Sequence, residues 1–307
     1  MKTKVLLFTK FDISWRFPRT VLFKPNNSTW VLTKMKIEQV TPAIGAEISD
    51  IDLNHLSSKE LDDIYGALIE HKVIFFRDQD LTPEAHLAFA KSFGEPEPPH
   101  PIYPSIEGYE NIVLLKSGAG SKPDTNDWHK DMTFKANPPF TSILHAIQVP
   151  DVGGDTMWSN TNAAYTALPS MWQDYLADME AIHDIGTFRN DLYFKGGIEA
   201  VNDGLKSTGS AVHKIVDTHP VSGLKYLNVN QSFTRHIIGE IQGESDRILQ
   251  YLYQHMAKPE FQVRLRWRNN TVAMWDNRIT HHYAVCDYLP KVRHMQRVTV
   301  LHDKREP

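Results

Sequence analysis

His129 and Asp131 stand one residue apart in the segment Trp128-His129-Lys130-Asp131-Met132-Thr133-Phe134. If the segment is extended, alternate side chains leave the same face, so imidazole and carboxylate converge while Lys130 faces away. Both groups ligate divalent metals, and two histidines with one carboxylate leave positions open on Fe(II) for a chelating cosubstrate and for oxygen. The spacing alone carries little weight, since a His-x-Asp arises by chance about once in a chain this long and this rich in histidine. A distant third ligand adds the specificity. His281 and His282 are the candidates, and because strand neighbours point to opposite faces, one of the two can enter the site.

Downstream, Arg293, Met295, Arg297 and Thr299 belong to an apolar-alternating run that ends at Leu301, so they would share one strand face. Guanidinium groups hold carboxylates and sulfonates through paired N–H donors. Two of them beside a metal describe a pocket for two small anions. A histidine pair taken alone is more often a polar surface feature than a ligand. The arginines near the pair shift the balance towards a site.

The 307-residue chain is 41% hydrophobic and 23% charged, enough for one large globular domain with a substantial core. Its net charge of -4 provides no basic field, which argues against nucleic acid or an anionic membrane as partner and makes any anion binding local. No apolar run approaches the roughly 20 residues that cross a bilayer. The single cysteine, Cys286, cannot close an internal disulfide, which fits a reducing compartment and an expected cytoplasmic location. Residues 1–34 are cation-rich, with Lys2, Lys4, Lys10, Arg16, Arg19, Lys24 and Lys34 against Asp12. They are expected to form a poorly ordered extension, a transit peptide being the alternative, ahead of a domain spanning 35–307.

The elements that must position these groups are partly legible. Ser57 and Glu60 form a capping box ahead of Leu61, Ile64, Tyr65, Leu68 and Ile69, spaced as the apolar face of a helix. Val73-Ile74-Phe75-Phe76 reads as a buried strand, and Thr82-Pro83 opens a second helix that Gly94 is placed to end. The proline-rich stretch 96–104 must be a loop. Short strands are expected over 111–115, 128–134, 142–149 and 156–158, and again over 225–229, 262–267, 271–275 and 295–301. Helical spacing interrupts them over 162–179 and 245–257. The glycine-punctuated 196–209 reads as a mobile loop or lid. Many short strands, with helices at the N-terminus and in insertions, predict a mainly β fold of jelly-roll type rather than alternating βαβ units.

With these blocks in order, the sequence resembles the taurine/2-oxoglutarate dioxygenases, non-haem Fe(II) enzymes with a double-stranded β-helix (jelly-roll) fold. The resemblance runs from about Met35 to Asp303. It rests on Ile44-Gly45-Ala46-Glu47-Ile48, Phe76-Arg77-Asp78-Gln79, the block from Trp128 to Phe134, Gly153-Gly154-Asp155-Thr156-Met157-Trp158, and the stretch from Trp275-Asp276-Asn277-Arg278 through His281-His282-Tyr283-Ala284 to Arg297. It implies that His129, Asp131 and His282 are the iron ligands, His282 being followed by Tyr-Ala and lying eleven residues ahead of Arg293, with His281 facing away. It implies that Thr156 and Arg293 anchor the distal carboxylate of 2-oxoglutarate, whose keto-acid end chelates the iron. Arg297 resembles the family arginine at the substrate end, where it binds a sulfonate or helps hold the proximal cosubstrate carboxylate. His100 and Tyr103 resemble a sulfonate-contacting histidine and its neighbouring tyrosine, and Phe134 and Phe233 resemble apolar pocket walls.

The implied reaction consumes O2 and 2-oxoglutarate and hydroxylates a small anionic substrate at the carbon bearing its sulfonate. Taurine is the first expectation, with sulfite and aminoacetaldehyde released alongside succinate and CO2. The same chemistry on an alkyl sulfate or another small organic acid is the nearest alternative. A zinc hydrolase could use the same three ligands but would need neither Arg293 nor oxygen. A non-catalytic binding module would not need a complete ligand set. A homo-oligomer is a further expectation, by analogy with the family.

Overall fold

The computed structural model describes residues 35–99, 103–120, 127–186 and 188–306, so the expected N-terminal extension lies outside the described residues. The largest sheet has the order β1 (Lys36–Gln39), β2 (Ala46–Ser49), β3 (Val73–Phe76), β14 (Val272–Asp276), β6 (Thr141–Gln148), β16 (Arg293–Val300), β5 (Tyr109–Ser117) and β4 (Ser105–Ile106). Only the β2–β3 pair within it is parallel. A smaller sheet orders β13 (Gln262–Leu265), β7 (Thr156–Asn160) and β15 (Thr280–Ala284). Two further ribbons are β12 (Thr234–Ile237), β8 (Glu180–His183), β9 (Ala211–Lys214), and the pair β10 (Val216–Thr218), β11 (Lys225–Leu227). The helices are α1 (Ser58–His71), α2 (Pro83–Lys91), α3 (Thr161–Thr166), α4 (Ser170–Leu176), α5 (Phe188–Thr208) and α6 (Gln242–Met256). Among the described residues, no helix is long and apolar enough to cross a membrane.

The central strands are apolar on both faces because both faces are covered. In β3, Ile74 and Phe76 join the core with α1 and α2, whereas Val73 and Phe75 join the core shared with the smaller sheet. β14 divides in the same way, Val272 and Met274 to one side, Ala273 and Trp275 to the other. The second core holds Trp158 of β7 with Val263 and Leu265 of β13, so two sheets pack face to face as a jelly roll requires. α1 begins where the sequence places it: Ser57 accepts from the Glu60 amide and the Glu60 carboxylate accepts from that of Ser57, a reciprocal cap worth about 1 kcal/mol. Thr82 caps α2 by accepting from the Ala85 amide, with Pro83 in the first turn.

Three expected elements come out differently. The stretch 128–134 is not a strand: it makes one isolated bridge, at His129, then turns from Asp131, with Met132 at φ 55. The single helix over 162–179 divides into α3 and α4, because Pro169 has no amide hydrogen for a continuing helix and instead stands at the N-cap of α4. The expected loop 196–209 is mostly helical, belonging to α5 with a break at Gly196 and Gly197, the latter at φ 68. Its glycines have different tasks. Gly197 makes the bend, while a Cβ on Gly204 would stand 2.4 Å from Leu192 Cδ1, so the two arms of α5 pack closely.

Candidate metal centre and active site

β15 pairs with β7 so that His282 lies opposite Trp158 and His281 opposite Ser159. Trp158 points into the core between the sheets, and its cross-strand partner His282 points the same way, with its ring 5.0 Å from that of Trp275. His281 therefore takes the other face, where it is buried. His129 meets His282 in an antiparallel bridge: the His129 amide donates to the His282 carbonyl at 3.0 Å and the His282 amide to that of His129 at 2.8 Å. This sets the imidazoles side by side, their centroids 4.0 Å apart. Asp131 follows where the chain turns, with its Oδ1 3.9 Å from His129 Nε2 and 3.7 Å from His282 Nε2. One ligand atom from each of the three lies within 4.8 Å of the others.

Two of the three, His129 and Asp131, are held from behind, whereas among the described residues His282 Nδ1 is buried without a hydrogen-bond partner. His129 Nδ1 donates to the Asp127 carbonyl at 2.8 Å, which leaves Nε2 as the lone-pair nitrogen facing Asp131. The Ser142 hydroxyl donates to Asp131 Oδ2 at 3.1 Å, so Oδ1 faces the histidines. The Asn277 side chain grips the Asp131 main chain from both sides, accepting from its amide at 2.8 Å and donating to its carbonyl at 3.1 Å. Burial works against ionisation of Asp131, but the Arg297 guanidinium, the two imidazoles and the Ser142 hydroxyl hold its carboxyl well below the usual range. Burial, with His129 alongside, lowers His282 to about 3, so it presents a neutral imidazole. A carboxylate beside two imidazole nitrogens is the donor set a divalent metal requires.

The two arginines flank this triad differently. Arg297 Nη1 lies 3.6 Å from Asp131 Oδ1, and among the described residues its buried Nε has no acceptor. Arg293 is buried, donating from Nε to the Gly154 carbonyl at 3.0 Å and from Nη2 to Thr156 Oγ1 at 3.2 Å. Trp267 Nε1 also donates to Thr156 Oγ1, at 2.9 Å, which leaves the threonine proton free to point elsewhere. Among the described residues no carboxylate lies within ion-pair distance of Arg293, and burial pulls its pKa below the ordinary value. A dry, unpaired guanidinium beside a hydroxyl donor suits a carboxylate ligand. Gly153 and Gly154 make the approach possible, both at positive φ: a Cβ on Gly153 would sit 2.6 Å from Asp287 Oδ1, the atom to which the Gly154 amide donates.

Phe134 and Phe233 meet at 5.2 Å in an edge-on contact, and Phe188 joins them at 6.4 and 5.6 Å. Tyr103 is half-buried just ahead of β4, and His100 lies outside the described residues. Sequence reasoning assigned nothing to Ser142, Asn277 or Phe188. Asn277 had a signal, a polar side chain directly after a buried strand; Ser142 had none that separates it from other strand serines.

Comparison with known proteins agrees with this geometry. Residues 36–299 match the family described as taurine catabolism dioxygenase TauD, TfdA family. The chain is 36% identical to an alkylsulfatase of Acinetobacter baylyi, covering 87% of this chain and 85% of that protein. It is 35% identical to an alpha-ketoglutarate-dependent sulfate ester dioxygenase of Pseudomonas putida, covering 87% and 89%. A solved taurine dioxygenase from Burkholderia xenovorans superposes with a TM-score of 0.76 at 34% identity, over 88% of this chain and 90% of that one. The jelly roll, the His129–Asp131–His282 cluster and the matched length agree: the chain belongs to the TauD, TfdA family of 2-oxoglutarate-dependent dioxygenases.

Proposed function

We propose that His129, Asp131 and His282 hold Fe(II), that Thr156 and Arg293 hold the distal carboxylate of 2-oxoglutarate, and that Arg297 meets the oxyanion head of an organosulfur substrate. One arrangement carries the reading: three metal-type ligand atoms within 4.8 Å of one another, an unpaired buried Arg293 on one side, and Arg297 3.6 Å from Asp131. When bound, the metal and 2-oxoglutarate supply the oxidising power, using O2 and releasing succinate and CO2. The chain's own residues orient and enclose. Arg293 and the Thr156 hydroxyl fix one end of the cosubstrate, Arg297 sets the sulfur-bearing end of the substrate beside the metal position, and Trp158 and Trp275 close the inner side against water. Residues 35–307 form the catalytic domain in this reading, and the lone cysteine suits a reducing, cytoplasmic setting.

The substrate we favour is a small alkyl sulfate, oxidised at the carbon next to the ester oxygen to give an aldehyde and sulfate. Phe134, Phe188 and Phe233 offer a hydrocarbon tail an apolar wall, and the alkylsulfatase and sulfate ester dioxygenase similarities support the same class. A sulfonate such as taurine is the second reading, supported by the likeness to the Burkholderia enzyme; His100 and Tyr103 would join Arg297 at either head group. Aerobic incubation with Fe(II), 2-oxoglutarate and hexyl sulfate or taurine separates them. Succinate with sulfate and aldehyde supports the ester; succinate with sulfite supports the sulfonate. Succinate at the substrate-free level with both would overturn the substrate class, and turnover without oxygen would favour a zinc hydrolase.

A further inference from the structure

Lys130 sits between two of the three ligand residues, yet its side chain leaves the opposite face and is 2% exposed. Its ammonium donates to Asn228 Oδ1 at 2.9 Å and to the Arg278 carbonyl, and stands 4.3 Å from the centre of the Tyr226 ring. Neither acceptor is a carboxylate. The acids nearby are engaged elsewhere, Asp276 by His219 at 3.0 Å and Arg278 at 2.7 Å, and Asp217 by the Tyr226 hydroxyl at 3.3 Å. A buried amino group whose two acceptors are neutral forms no ion pair to offset its removal from water, and an apolar chain of similar volume would fill the same space without that removal. The lysine is thus not explained by packing.

Its two acceptors lie on separate elements. Asn228 follows β11, and Arg278 lies in the turn joining β14 to β15, next to the Asn277 that grips Asp131. The segment they hold has little ladder of its own, having one bridge at His129 and a turn from Asp131 onward. We infer that Lys130 is a positioning residue for the metal ligands, its ammonium fastening the backbone between His129 and Asp131 to the end of β11 and to the β14–β15 turn. The role rests on the metal reading above. It replaces the strand pairing that would otherwise fix the relative placement of the imidazole and carboxylate.

The test uses the full chain, stripped of metal, titrated with Mn(II) and followed by the spin resonance of the free ion, with apo stability measured by urea. Lys130→Met is expected to weaken Mn(II) binding about 10- to 100-fold while the apo midpoint falls only slightly, the loss of the donor to Asn228 and Arg278 being offset by the apolar chain. The Co(II)-loaded variant is expected to show altered visible bands, which report ligand geometry directly. Unchanged Mn(II) affinity overturns the role, and so does a markedly lower apo midpoint, since the lysine is then structural. If Lys130→Met does not fold, Asn228→Ala, which removes one acceptor and keeps the lysine, decides: several-fold weaker Mn(II) binding supports the tether, and wild-type affinity overturns it. Absence of Mn(II) binding by the wild type would overturn the metal reading, and this inference with it.

Discussion

Arg293 and Arg297 share a strand face four residues apart, and their neighbours give them different work. Arg293 is fixed by the Gly154 carbonyl and Thr156, with its guanidinium 5.8 Å from the centre of the Trp267 ring, so it can meet an anion of one shape in one place. Arg297 is half-buried beside Asp131, with Nε lacking an acceptor among the described residues. Hydrogen bonds to charged groups contribute about 1.5–3 kcal/mol, so Arg297→Ala is expected to raise the KM of the organosulfur substrate about 10- to 150-fold and that of 2-oxoglutarate much less. Thr156→Val removes a neutral hydroxyl and should raise the 2-oxoglutarate KM roughly 2- to 10-fold, leaving the other substrate nearly unaffected. Steady-state kinetics with each substrate varied in turn checks both. The opposite ranking would mean that the two anion sites are exchanged.

Where α2 packs on β6, His86 is fully buried with its ring 5.9 Å from that of His145, and its Nε2 donates to the Ile143 carbonyl at 3.2 Å. Burial, with His145 beside it, lowers His86 to about 3, the bond to Ile143 opposing only in part. The unfolded chain takes up a proton here near pH 6.5 that the folded chain refuses until about pH 3, so apo stability falls as pH falls between those values. From pH 7 to pH 5 this group alone removes about 2 kcal/mol. His86→Gln keeps a donor for Ile143 and does not titrate, so its urea-unfolding free energy should lose that much less over the same range; an equal loss would place the proton uptake elsewhere. The same element scale marks how far the sequence could be read. α1, α2, β3 and β14 carry local signals, caps or double-sided apolar runs, and they form as expected. Alternation within β15 and β16 is a property of any strand, which is why Arg293 and Arg297 share a face and why one of His281 and His282 faces the interior; spacing leaves that choice open, and the pairing of His282 with Trp158 decides it. The 128–134 turn, the break at Pro169 and the packed arms of α5 depend on tertiary neighbours. So do the supports of Asp131, since Asn277 lies 146 residues away in the chain, and its place after a buried strand does not say which segment it grips.

At the scale of the molecule, the candidate centre lies between the two packed sheets: His282 and Thr156 project from the smaller one, Arg293 and Arg297 from the larger, and His129 and Asp131 from the connection ahead of β6. Anything bound there ties the sheets together and must stabilise the fold by mass action. At one hundred times its Kd a ligand adds about 2.7 kcal/mol. At about 2–4 °C per kcal/mol for a domain somewhat smaller than this one, Mn(II) and then 2-oxoglutarate should each raise the Tm by about 5–10 °C in oxygen-free buffer, or somewhat less. The two increments test the site in sequence, because the cosubstrate needs the metal whereas the metal does not need the cosubstrate. Asp131→Ala should lose both. Arg293→Met should keep the Mn(II) increment and lose most of the one from 2-oxoglutarate, as the proposed metal ligands are untouched and only the proposed partner of the distal carboxylate is removed. A full 2-oxoglutarate increment in Arg293→Met would assign that carboxylate to another cation. A full Mn(II) increment in Asp131→Ala would remove the aspartate from the ligand set.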